Sequence, residues 1–214
     1  MTVAVIADIV GSRKLPDRAA AQHELDAAID RAEAARPLAL QRLAPTVGDE
    51  LQGVYRSLGD AVISTLMLQL ALPAGIECRF GVGVGELTTI PTAKGAVSEG
   101  PGWWAAREAI DLVHEKQQRT APLARTWIVA ASGQDEVMSS TIGPLNSYLL
   151  VRDQLVGSMS ERERRLTYGR AIGTSQRDLA IEEGISQPSI SKSLRAAGSA
   201  AILDGLRLLQ VGHA

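Results

Sequence analysis

The chain has 214 residues and a formal charge of −2, which is not the composition of a strongly basic nucleic-acid coat. Hydrophobic residues make up 45% of it and aromatic ones 3%, so its core must be aliphatic and rich in alanine, and the length suits one medium domain plus a small one. Cys78 is the single cysteine, which excludes an internal disulfide. The start Met-Thr-Val-Ala-Val-Ile-Ala-Asp lacks the parts of a signal peptide, and no apolar run is long enough to span a bilayer, so a cytoplasmic protein without a membrane partner is expected. His23, His114 and His213 are too scattered for a zinc site.

In chain order, Val3 to Ala7 is a short apolar run that suits a buried strand, and it ends on Asp8 before the turn-like Gly11-Ser12. Asp17 is placed to cap a helix through about Ala35, with Leu25, Ala28, Ile29 and Ala32 on one stripe and Pro37 as its stop. Leu38 to Val47 and Leu51 to Tyr55 read as a hairpin with Gly48-Asp49-Glu50 at its turn, followed by an apolar helix from about Leu58 to Leu72. Glu77 to Gly85 alternates as a strand. A Gly- and Thr-rich loop follows, then a helix from about Gly102 to Gln118, and Trp127 to Ala131 closes the sheet. Trp103 and Trp104 are adjacent on that helix, so they cannot share one face. The resulting order predicts an α/β fold, a ferredoxin-like sheet with an extra piece. Ser139 to Pro144 is the expected joint, which gives an α/β domain over 1–140 and an all-α domain over 141–214.

Near the end, Thr174 to Arg195 reads as a helix-turn-helix. Leu179 and the small Ala180 lie on the first helix, Gly184 allows the turn, and Ile185 fills the gap between the helices. Ser186 is an N-cap and Pro188 falls in the first turn of a second helix that starts at about Gln187. Ile190 and Leu194 face inward, which leaves Gln187, Ser189, Ser191, Lys192 and Arg195 to meet a major groove or phosphates, so DNA is the expected partner. A helical hairpin that only packs on its neighbours would show the same pattern. Basic residues exceed acidic ones only slightly from Glu161 to Gly198, so a single copy would bind weakly and a homodimer is expected.

Several short motifs, in their order, resemble those of class III nucleotide cyclases: Asp8-Ile9-Val10-Gly11-Ser12, Gly48-Asp49-Glu50, Arg79 to Glu86 and Ala105-Ala106-Arg107. Ala7-Asp8-Ile9 with Ser12-Arg13, Val47 to Gly53, Gly100-Pro101 and Ala106 to Ala109, followed by the terminal helix-turn-helix, resemble the SatD family over nearly the whole chain. The resemblance implies a nucleotide-cyclase-type sheet in which Asp8 and Asp49 hold Mg2+ or Mn2+ beside a triphosphate. It also implies that the turn Ile9, Val10, Gly11 and Ser12 cradles phosphates, that Arg107 supports the transition state, and that the site forms between two subunits. Two carboxylates held close together repel, and a divalent cation that takes hard oxygen ligands is the usual relief. If Asp8 and Asp49 face each other, replacing either with Ala stabilises the apo protein.

Read residue by residue, Asp8 also suits a cap, Asp49 an ordinary hairpin acid, and Arg107 an exposed helix arginine paired with an acid such as Asp111. Pro45 and Trp103 stand where the cyclases carry a base-reading lysine and an asparagine, which disfavours cyclisation. The expected function is a DNA-binding transcriptional regulator with a nucleotide- and metal-binding sensor domain. The alternatives are a divalent-metal enzyme acting on a nucleoside triphosphate and a scaffold of cyclase fold without a ligand.

Overall fold

The computed structural model describes residues 2–12, 15–46, 50–92 and 95–211. Strand β1 (Val3–Ile9) is apolar up to Asp8, and its residues other than the half-buried Asp8 are buried on both faces because it is central in the sheet. Helix α1 (Arg18–Ala35) starts where the Asp17 carboxylate accepts from the Ala20 N–H at 2.9 Å, and it ends before Pro37. Strands β2 (Ala39–Pro45) and β3 (Glu50–Tyr55) form the expected antiparallel pair, with register shifts along β2. Glu50 belongs to β3, not to the turn, and residues 47–49 lie outside the described residues.

Helix α2 (Leu58–Ala71) is capped by Ser57 and buried from Ala61 through Leu70. An apolar helix of this kind needs cover on every side. The sheet covers one side, and later helices cover the other. Strand β4 (Cys78–Val84) is likewise buried at every residue. Phe80, Val82 and Val84 join the α1/α2 core, while Gly81 and Gly83 face helix α3 (Pro101–Arg119) on the opposite side of the sheet. A Cβ on Gly83 would lie 2.0 Å from the Gly102 carbonyl oxygen and 2.3 Å from the Ala106 nitrogen, so only glycine admits the helix this close.

Between β4 and α3 the expected loop contains a small antiparallel sheet, β5 (Thr88–Thr92) and β6 (Gly95–Glu99). Gly100, at a φ of 121°, turns the chain into α3. Strand β7 (Thr126–Ala130) then adds to β4 in parallel. The main sheet runs β2-β3-β1-β4-β7, and its first four strands are antiparallel neighbours. Together with α1 and α2 they have the split βαβ order expected from the sequence, and β7 is the extra piece.

Helix α4 (Asp135–Ser158) overturns the expected joint, because Ser139 to Pro144 lies inside it. Met138, Ile142, Leu145 and Leu149 form one helical stripe against the main core, and this packing outweighs the hydrogen bond that Pro144 removes. Farther along, Asn146 uses both ends of its amide on Ile128 of β7: Oδ1 accepts from its N–H and Nδ2 donates to its C=O, each at 2.9 Å. Asp153 accepts from the backbone N–H groups of Arg125 and Thr126, both at 2.7 Å, and also from Gln69 of α2 and from Arg152. Arg152 and Asp153 are each 1% exposed, and this satisfied network is what allows the buried charges.

Helix α5 (Glu161–Ala171) opens with a Ser160/Glu163 capping box. It is followed by α6 (Gln176–Glu183), α7 (Gln187–Ala196) and α8 (Ser199–Val211). Ile202 and Leu206 of α8 pack with Ile63, Leu66 and Leu70 on the second side of α2. Two hydrogen bonds fasten α5 to α1: the Arg36 guanidinium donates to the Ala171 carbonyl at 2.8 Å, and the Tyr168 hydroxyl donates to the Arg31 carbonyl at 3.0 Å.

Candidate functional site

On the α3 side of the sheet, strand pairing brings Asp8, Glu50 and Arg79 into one row. Asp8 of β1 stands opposite Glu50 of β3 on one side and Arg79 of β4 on the other. The Arg79 guanidinium takes both carboxylate oxygens of Asp8, Nε to Oδ1 at 2.9 Å and Nη2 to Oδ2 at 2.8 Å, and its Nη1 donates to Gln117 of α3. Arg107 reaches from α3 to Glu50, with Nη2 2.7 Å from Oε1, and the same oxygen accepts from Gln52. Arg107 is therefore paired with Glu50 across the sheet, not with Asp111 along its own helix. The row reads Arg107, Glu50, Asp8, Arg79, two acids bracketed by two guanidinium groups. Like charges on neighbouring strands are tolerated because each has a bidentate or charge-assisted partner.

This pairing bears on the metal expected at Asp8. Both of its oxygens are already acceptors, and among the described residues no group of three or more acidic, histidine or cysteine side chains could hold a metal ion. Asp49, the other acid of the expected pair, lies outside the described residues. The described residues thus form a charge-paired row in which Arg79 holds Asp8. The turn expected to cradle phosphates is partly committed as well. Ile9 is buried and paired with Cys78, and the Val10 N–H donates to the Glu77 carbonyl at 2.8 Å. Gly11 has a φ of 68° with open space at its Cβ position, and Ser12 is buried. Behind the row, burial pushes the Cys78 thiol well above its ordinary value, and the negative charges of Asp8 and Glu77 add to the shift.

Trp103 and Trp104 divide as adjacent helix positions must: Trp103 is 7% exposed and packs with Ala4, Ile6 and Ile110, whereas Trp104 is 65% exposed.

The second candidate surface is the α6–α7 pair. Ser175 caps α6, and Gly184 ends it in the left-handed region at a φ of 65°. Ser186 caps α7 and Pro188 sits in its first turn. Leu179, Ile190 and Leu194 form a small core with Leu166 of α5, and Ala180 and Ile185 pack on it. Gln187, Ser189, Lys192 and Arg195 are exposed and Ser191 is half-buried. Lys192 and Arg195 have no side-chain partner among the described residues. The Ser189 hydroxyl is 2.8 Å from that of Ser186, so part of its capacity is spent at the cap.

Arg79 and Gln117 were not legible as site residues in the sequence. The available signal was a lone charge in an otherwise apolar strand, in phase with Gly81 and Gly83 on the face that α3 covers.

A mixed five-stranded sheet carrying a charge-paired row, with helices on both faces and a helical C-terminal half, defines an α/β protein. The chain belongs to the SatD family, whose sequence profile matches residues 2–204. Two structures of a bacterial light-regulated adenylyl cyclase resemble it. One has 14% identity and a TM-score of 0.42, over 53% of this chain and 40% of that one. The other has 12% identity and a TM-score of 0.45, over 72% of this chain and 97% of that one. This chain therefore spans well under half of the first of them. No curated protein matches it. Among the described residues no helix is long and apolar enough to cross a membrane.

Proposed function

We propose that this SatD-family protein is a DNA-binding transcriptional regulator: α6 and α7 act as a helix-turn-helix, and the sheet domain of cyclase type takes a nucleotide or another phosphate-bearing small molecule. In this reading the sheet domain senses the ligand, α6 and α7 bind DNA, and the protein works as a homodimer so that two α7 helices meet two half-sites. The observation that carries it is the outer surface of α7. A ten-residue helix, capped at Ser186 and anchored by Ile190 and Leu194, presents Gln187, Lys192 and Arg195 to solvent without partners among the described residues that would occupy them. Polar and cationic side chains on a rigid helix read base edges and phosphates.

The row at Asp8 supports a ligand site that works by guanidinium pairing. Arg107 is half exposed and could exchange Glu50 for an anionic ligand group, which favours a phosphate-bearing molecule. Metal-dependent turnover of a nucleoside triphosphate is the weaker reading, since Arg79 would have to release Asp8 first.

The test is selection of bound sequences from a randomised duplex pool at low salt, with sedimentation of the free protein to give its oligomeric state. The proposal expects an enriched motif with two half-sites, and a changed motif for Gln187→Ala. Absence of retained duplex at micromolar protein would overturn it.

A further inference from the structure

A groove runs between the end of α5, the start of α6, the second half of α7 and the first turns of α8, with a volume of about 320 Å³. Its walls carry Arg170, Arg195 and Arg207 against a single acid, Asp204, together with the polar Gln176 and Ser191. A second cavity beside α5 and α6 has the reverse balance. The cavity between α5, α6 and the ends of α1 and α2 holds Glu161, Glu182 and Glu183 against Arg31 and Arg165. The helical half is therefore polarised, and a polyanion approaching it is drawn to the first groove and turned away from the second.

We infer that the groove of Arg170, Arg195 and Arg207 seats the sugar-phosphate backbone of DNA beside the major-groove face of α7, an inference that rests on the DNA-binding reading above. Arg195 stands at the join. It is exposed on α7, has no partner among the described residues and lines the groove, so one side chain links the helix surface to the phosphate channel. Arg207 is already oriented at the groove wall by a hydrogen bond to Asp204, and both side chains remain about two-thirds exposed. Arg170 is fixed from behind by its bond to the Thr174 carbonyl. Arg170 is thus held in place before a ligand arrives, which lowers the ordering cost of binding. Contacts of this kind carry no sequence information, and each should contribute to affinity through counterion release.

The experiment measures binding of the full chain to a 30-bp duplex of arbitrary sequence by fluorescence anisotropy, at salt concentrations from 50 to 200 mM. Arg170→Ala and Arg207→Ala should each lower the slope of log affinity against log salt by about 0.9. Both should leave unchanged the motif recovered from the randomised pool. Asp204→Asn should increase affinity by about two- to five-fold, the effect of one exposed ion pair, and a misfolded variant cannot produce that gain. If the wild type binds DNA and Lys192→Ala lowers the slope while Arg170→Ala and Arg207→Ala do not change it and Asp204→Asn leaves affinity unchanged, the groove is overturned and the role of α7 stands. If the wild type retains no duplex, both fall together.

Discussion

Replacing Gly83 with alanine tests how α3 is held on the sheet and what that placement does for the charged row. The new Cβ would sit 2.0 Å from the Gly102 oxygen and 2.3 Å from the Ala106 nitrogen, against an ordinary contact beginning near 3.4 Å. The opposing atoms are helix backbone, so no side-chain rotation relieves the clash, and α3 has to retreat by about 1.4 Å. That movement lifts Trp103, Ala106 and Ile110 from Ala4 and Ile6 and draws Arg107 away from Glu50. Overpacking typically costs about 1–3 kcal/mol, and with backbone on both sides the upper end applies, about 3 kcal/mol. For a chain of this length the midpoint of thermal unfolding should fall by about 6–12 °C, followed by circular dichroism. A Gly83→Ala protein that melts within about 1 °C of the wild type would refute the close approach of α3.

Asp8→Ala should lower stability by about 3 kcal/mol in urea titration, because it leaves the buried Arg79 guanidinium with only Gln117; a gain would restore the repulsion account of Asp8. Cys78 in the native protein should resist alkylation by iodoacetamide at pH 8, since the thiol is buried and its ionisation suppressed, and labelling as fast as in urea, read by mass spectrometry, would contradict its placement. Hydrogen bonds from Arg165 hold the Glu183 carboxyl below its usual range. Its contribution to stability is therefore complete above the ordinary glutamate value, about 4.3, and fades as the pH falls through the lower folded value. The difference in melting temperature between wild type and Glu183→Gln should accordingly narrow on acidification from pH 6 to pH 3.5, and a widening gap would reverse the assignment.

Elements whose signal is local were legible in the sequence. Asp17 and Ser186 mark helix starts because a cap satisfies backbone N–H groups within three residues, and each caps its helix here. The β5–β6 pair was hidden because its Gly- and Thr-rich strands lack apolar alternation. Pro144 was misleading in the other direction, since a breaker signal is local whereas the stripe of Met138, Ile142, Leu145 and Leu149 acts through a core supplied by distant strands. At the candidate site, Asp8 was visible as an acid at the end of an apolar strand, but its partner Arg79 is 71 positions away. That contact follows only from strand register, which the sequence specifies weakly until both neighbours are known.

The grip of α4 on β7 also governs how the sheet behaves in concentrated solution. A terminal strand normally presents a straight row of unused N–H and C=O groups, a template on which another chain can extend the sheet into a fibre. Here Asn146 occupies both groups of Ile128, and Asp153 occupies the N–H groups of Arg125 and Thr126, so side chains of a helix take the place of a sixth strand. At the other end, the register shifts along β2, its exposed Arg42 and its closing Pro45 break the row by different means. Neither margin of the main sheet is a flat template. Loosening α4 by Asn146→Ala, with the fold otherwise intact, would expose one and open the sheet to strand-by-strand polymerisation.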